Sequence, residues 1–127
     1  MVPAPMSVGL TLCHYAAIEE GTRNITLAGS FISLRTGKFP FRAAPFSVFA
    51  SLVGGQGEGT LELVVTRLQT DQELFSVPRR VVFRDRFTEF RVLFRVKNCG
   101  FPAAGEYLFT LLVDGEWMAQ RRLLVSQ

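Results

Sequence analysis

No stretch of ten or more residues keeps its apolar side chains at the spacing of three to four that a packed helix needs. Runs of β-branched and aromatic residues follow one another instead, divided by Gly, Pro, Asn and Asp, and that pattern builds strands. Phe90, Val92, Phe94 and Val96 alternate with Arg91, Leu93, Arg95 and Lys97, which gives one strand with an apolar and a polar side. About eight strands are expected, near 7–16, 24–35, 45–53, 59–69, 73–83, 86–97, 105–113 and 116–126. Asp114-Gly115 supplies the positive φ pair of a two-residue hairpin between the last two. Thr70–Glu73 is expected to turn a second hairpin and Thr36-Gly37 a third. Tyr107, Phe109, Leu111 and Val113 share one side of their strand while Leu108 and Leu112 take the other, which places that strand centrally. Pro78 lacks an N–H, so it must interrupt its strand or lie at an edge.

Short strands with frequent turns and no crossover helix predict an all-β fold: an antiparallel β-sandwich, with a closed barrel as the alternative. No linker divides the chain, so residues 1–127 are read as a single domain with residues 1–6 flexible.

Composition excludes several classes. With 48% hydrophobic residues and a net charge of +3, the chain can offset its ordering entropy by burial. No apolar run approaches the roughly 18 residues of a membrane-crossing helix, so no membrane partner is expected. The start has neither a basic segment nor a hydrophobic signal core, and Leu10-Thr11-Leu12-Cys13 lacks the small residue of a lipoprotein site. The expected compartment is the cytoplasm, where Cys13 and Cys99 stay reduced and at least one is buried. Asn24-Ile25-Thr26 fits a glycosylation acceptor only in a secreted chain.

The chemistry-bearing residues are sparse. One His and two Cys leave little for a thiol nucleophile or a zinc site, and adjacent Cys13 and His14 point to opposite sides of a strand. No enzyme activity, metal or cofactor is expected. Gly54-Gly55-Gln56-Gly57-Glu58-Gly59 leads into a strand rather than a helix, so it reads as a flexible connection and not a phosphate cradle. Twelve of the fourteen basic residues are Arg, and seven of the fourteen lie between Arg79 and Lys97, interleaved with Phe83, Phe87, Phe90 and Phe94. Arg84, Arg86, Arg91, Arg95 and Lys97 are candidates for contacting nucleic acid or another polyanion. The plainer expectation is a solvated face on which Asp85 and Glu89 pair with neighbouring arginines. Phe39-Pro40-Phe41-Arg42-Ala43-Ala44-Pro45-Phe46 is the second candidate, with Phe39, Phe41, Arg42 and Phe46 offered to a protein partner or to a second copy. Its plainer expectation is a connection that tucks aromatics over one end of the fold, and Phe101-Pro102 resembles it on a smaller scale. A non-enzymatic interaction or assembly module is the leading functional expectation, with polyanion binding the alternative.

An early Cys13, then Ile25-Thr26-Leu27-Ala28-Gly29-Ser30-Phe31, then Phe39-Pro40, then Gly105-Glu106-Tyr107-Leu108-Phe109 running into Val113-Asp114-Gly115 and Leu123-Leu124-Val125, make up a longer pattern. It resembles a family of small bacterial all-β proteins that carry a domain of unknown function. The resemblance implies a cytosolic β-sandwich and brings no catalytic residues with it. The Gly105–Gly115 stretch also looks like the last hairpin of immunoglobulin-like and fibronectin-like domains, a likeness of architecture only.

Overall fold

The computed structural model describes residues 5–127. The described residues form β1 (Met6–Ile18), β2 (Ile25–Ser30), β3 (Ser33–Arg35), β4 (Phe41–Arg42), β5 (Phe46–Val53), β6 (Gly57–Arg67), β7 (Glu73–Phe83), β8 (Phe90–Val96), β9 (Gly100–Phe101), β10 (Gly105–Val113) and β11 (Glu116–Ser126), with no helix among them. The chain is therefore all-β. A four-stranded sheet has the order β2-β1-β5-β8, a five-stranded sheet the order β3-β11-β10-β6-β7, and β4 pairs with β9 alone. One of the sheets curls into a half-barrel. Of residues 1–6, expected to be flexible, residues 1–4 lie outside the described part, whereas Met6 is paired opposite Val53.

Eleven strands replace the expected eight because short segments pair separately. The run near 24–35 divides into β2, antiparallel to β1, and β3, parallel to β11 in the other large sheet. The break falls at Phe31 and Ile32, just past Gly29 at φ 72°, where the ring of Phe31 lies 5.5 Å from that of Phe46. The hairpin expected at Thr36-Gly37 is absent, since β3 adds to β11 and β4 pairs with β9. The other two expected turns are present. Asp114 and Gly115 hold φ 50° and 83° between β10 and β11, and Asp71 at φ 57° lies in the turn between β6 and β7. The Asp114 carboxylate also accepts the Thr60 N–H at 2.9 Å, tying that hairpin tip to β6.

Alternation sets the core. Val92, Phe94 and Val96 are buried on β8, and Tyr107, Phe109, Leu111 and Val113 on β10, which lies between β6 and β11. Leu10, Leu12, Val48 and Leu52 from the four-stranded sheet join Leu61, Leu63, Val65 and Leu123 from the five-stranded one in a single core. Phe46 meets Phe109 edge-on at 5.9 Å and Phe83 meets Phe90 at 5.3 Å, so aromatic pairs bridge the two sheets. Each such pair adds roughly 0.5–1.5 kcal/mol beyond its burial. The fully buried Tyr107 keeps its hydroxyl satisfied by donating to the Ala103 carbonyl and accepting the Ala103 N–H.

Sheet edges are treated unequally. Pro78 lies within the edge strand β7, as its missing donor requires. Arg79, its neighbour, reaches from β7 to β8 of the other sheet, donates to the Leu93 carbonyl at 2.7 Å and holds its guanidinium 4.9 Å from the Phe94 ring centre. This arginine clamps two sheet edges together and is not free for a ligand.

Candidate functional site

The loop aromatics lead to a core rather than to a surface. Phe46 is 2% exposed because it opens β5 on the same side as Val48 and Ala50, and the rings of Phe31 and Phe109 close over it. The expectation that Phe46 meets a partner is corrected by this burial. Phe39 and Phe41 are half-buried against the core, with Phe41 stacked on Phe101 at 6.3 Å across the β4–β9 pair. Arg42 alone of the four points into solvent. The plainer expectation, aromatics tucked over one end of the fold, describes what is found.

The arginine run divides into three parts. Arg79 is the clamp described above. Arg91 and Arg95 are exposed on the outward side of β8, paired in register with Ser51 and Ser47 of β5, and Lys97 follows them. Arg84 and Arg86 lie in the turn between β7 and β8. The expected pairing with Asp85 and Glu89 does not form. The Asp85 carboxylate accepts the N–H groups of Phe87 and Thr88 at 2.8 and 2.7 Å and the Thr88 hydroxyl at 3.0 Å. Those donors hold its carboxyl below the usual range, the Phe87 N–H first among them. Among the described residues the ion pairs are Arg80–Glu58 at 3.8 Å and Arg122–Glu106 at 3.2 Å, so none of the five candidate basic residues has a carboxylate partner.

What Asp85 builds is a fixed turn that presents Phe87. This side chain is 83% exposed, more than any other large apolar residue described, and the Arg86 guanidinium lies 5.2 Å from its ring centre. Beside it is a hollow of about 270 Å³ lined by Val82, Phe83, Arg84, Thr88, Glu89 and Phe90. Val82, on its rim, is 66% exposed. The sequence places Phe87 inside an expected strand 86–97, as one of the aromatics interleaved with the arginines, whereas it lies in the turn between β7 and β8. The signal that could have found it is Asp85 followed three residues later by Thr88, a side-chain-capped turn that ends pairing on both sides.

The remaining candidates do not converge. His14 is exposed and stacked on Phe31 at 4.4 Å. Cys13 shares its side of β1 with Ser47 and Ser30, opposite Leu12, while Cys99 belongs to the core. Both cysteines are free and buried, and burial pushes both thiols up, Cys99 to about 11. A thiol held protonated in this way is a poor nucleophile. No three His, Cys, Asp or Glu side chains among the described residues are gathered around a point that could hold a metal ion. No helix of the described residues is long and apolar enough to cross a membrane. Within the glycine-rich connection Gly55 is closely packed, since a Cβ there would lie 2.7 Å from Cγ of Phe83, whereas Gln56, Gly57 and Glu58 are exposed.

No curated protein matches the chain. A family model does: over residues 9–126, from within β1 to the end of β11, the chain matches the Family of unknown function (DUF6941), and it belongs to that family.

Proposed function

We propose that this protein is a non-enzymatic protein-interaction module that grips its partner with Phe87 and the arginines beside it. The observation that carries the reading is an aromatic ring held at 83% exposure on the turn that Asp85 caps, since leaving such a ring in water costs free energy that burial against a partner would return. Aromatic and arginine side chains dominate binding hot spots, and Arg84 and Arg86 leave their charge open to an acidic partner surface. The adjoining hollow gives a partner side chain a place to enter. Buried, unreactive thiols and a scattered His14 speak for the absence of catalysis, and two free cysteines suit a reducing cytoplasm. Affinity purification from the source organism tests the proposal with wild type and Phe87→Ser side by side. A stoichiometric partner retained by wild type and weakened about 30-fold or more by the variant is expected for a hot-spot residue. Equal retention by both would overturn it.

The architecture is best read as an immunoglobulin-like sandwich. Three features support this: β3 runs parallel beside β11, β10 is flanked by β6 and β11, and Tyr107 near the start of β10 bonds back to Ala103 like a tyrosine corner. Backbone pairing of β2 with β3 and of β8 with β7, which would close the two large sheets into one barrel, would displace this reading.

Polyanion binding is the second reading, favoured by the unpaired Arg91 and Arg95 on β8. Arg95 reaches the Ser47 hydroxyl at 3.5 Å, and Ser51, opposite Arg91, has a buried hydroxyl without a partner. A ligand neutralising about three charges should show a log–log salt slope near −2 to −3 on single-stranded DNA, and Arg91→Ala with Arg95→Ala should reduce that slope. No retention on heparin at low salt would eliminate this reading.

A further inference from the structure

The geometry points to β2 as a self-pairing edge that joins two copies of this chain antiparallel, making one continuous eight-stranded sheet. Four strands end the two large sheets, and three of them are blocked against strand addition. β3 has three residues, β7 contains Pro78, and the Leu93 carbonyl of β8 is already taken by Arg79. The fourth, β2, has the sequence Ile-Thr-Leu-Ala-Gly-Ser, with neither a charge nor a proline. Over Ile25–Ala28, before Gly29 turns the backbone at φ 72°, its outer row of backbone N–H and C=O groups carries no such block.

A second copy is the occupant the chemistry selects. Antiparallel pairing about a twofold axis sets each β2 against itself, and an uncharged strand brings no like charges together. The same operation centred on β8 would set Arg91 of one copy against Arg95 of the other, bringing like charges together twice. The arm itself also asks for cover. Beyond Cys13, β1 pairs only with β2, so the two strands extend past the rest of the sheet and leave Tyr15 72% and Ile18 43% exposed. Tyr15 shares its side of the arm with Ala28, in register, so apolar surface flanks the new ladder. The arm leaves from the Ser47 end of β5, whereas Phe87 follows β7 at the Val53 end, where Met6 also lies. Each copy in the pair therefore keeps its Phe87 turn clear of the junction, and this inference stands whether or not Phe87 binds a partner.

Light scattering across a concentration series tests it. Wild type should approach twice the 14.2 kDa chain mass. Thr26 and Ala28 are exposed, so the doubly substituted T26K/A28K and T26E/A28E chains should fold with unchanged circular dichroism. Each should weaken the dimer at least tenfold through like-charge opposition, and an equimolar mixture of the two should regain the doubled mass. Wild type holding the single-chain mass up to about 1 mM, the weak limit of specific association, would overturn the inference. So would a dimer indifferent to either variant, or two monomeric variants that fail to combine.

Discussion

Phe46→Ala is expected to unfold this protein or to cost about 3–5 kcal/mol of its stability, the range for deleting a buried phenylalanine. The ring is 2% exposed and is held edge-on by Phe31 at 5.5 Å and by Phe109 at 5.9 Å. Truncation leaves a void between the two large sheets, because Phe109 belongs to the five-stranded sheet and Phe46 to the four-stranded one. Main-chain pairing on both sides of β5 fixes the strand, so the surroundings can collapse only in part. Against a total stability of about 5–15 kcal/mol, that loss is decisive. Urea denaturation checks it. A loss below about 1 kcal/mol would mean that the ring is dispensable to the core and would return Phe46 to the surface role its loop first suggested.

Gly55→Ala is expected to cost about 1–3 kcal/mol, an effect of overpacking in a segment that composition alone would call a tolerant loop. The added methyl would lie 2.7 Å from Cγ and 2.8 Å from Cδ1 of Phe83. These atoms are at the root of the ring, so the whole side chain must move. Phe83 is 6% exposed and packs against Phe90 at 5.3 Å, so its displacement opens the join between β7 and β8. The same ring lines the hollow beside Phe87, so the variant should lower the melting midpoint and, where the proposed partner is gripped there, weaken that grip as well. Gly57→Ala is the informative comparison. Nothing lies within 4 Å of its added methyl, and its cost comes only from φ 78°. Thermal melts of both variants, with Gly55→Ala no less stable than wild type, would show the connection to be as loose as its glycines imply.

The two expected losses are legible to different degrees in the chain. Phe46 lies in a run that alternates correctly, Phe46, Val48 and Ala50 on one side and Ser47 and Phe49 on the other, so its burial follows from continuing the strand two residues back into a proline-bounded loop. Nothing local tells Gly55 from Gly57, since the difference is Phe83, twenty-eight residues along the chain. The arginine run behaves in the same way. That Arg91 and Arg95 point outward is a matter of period two. That Arg79 leaves its own sheet to bond the Leu93 carbonyl depends on two edges meeting.

By itself the sequence determined the all-β strand content, the positive-φ hairpin at Asp114-Gly115, the exclusion of Pro78 from an unbroken central strand and the central, two-sided character of β10. Each of these is a property of a few consecutive residues: pleat alternation, a missing donor, or a turn that tolerates φ above zero. The tertiary structure alone decided that residues 24–35 divide between two sheets, that Phe46 closes a core, that Asp85 fixes the turn beneath Phe87, and that β2 is the edge left open. Alternation says which side of a strand a residue takes. What stands on that side is set by pairing between segments distant in the chain, and that register is written in no single stretch of it.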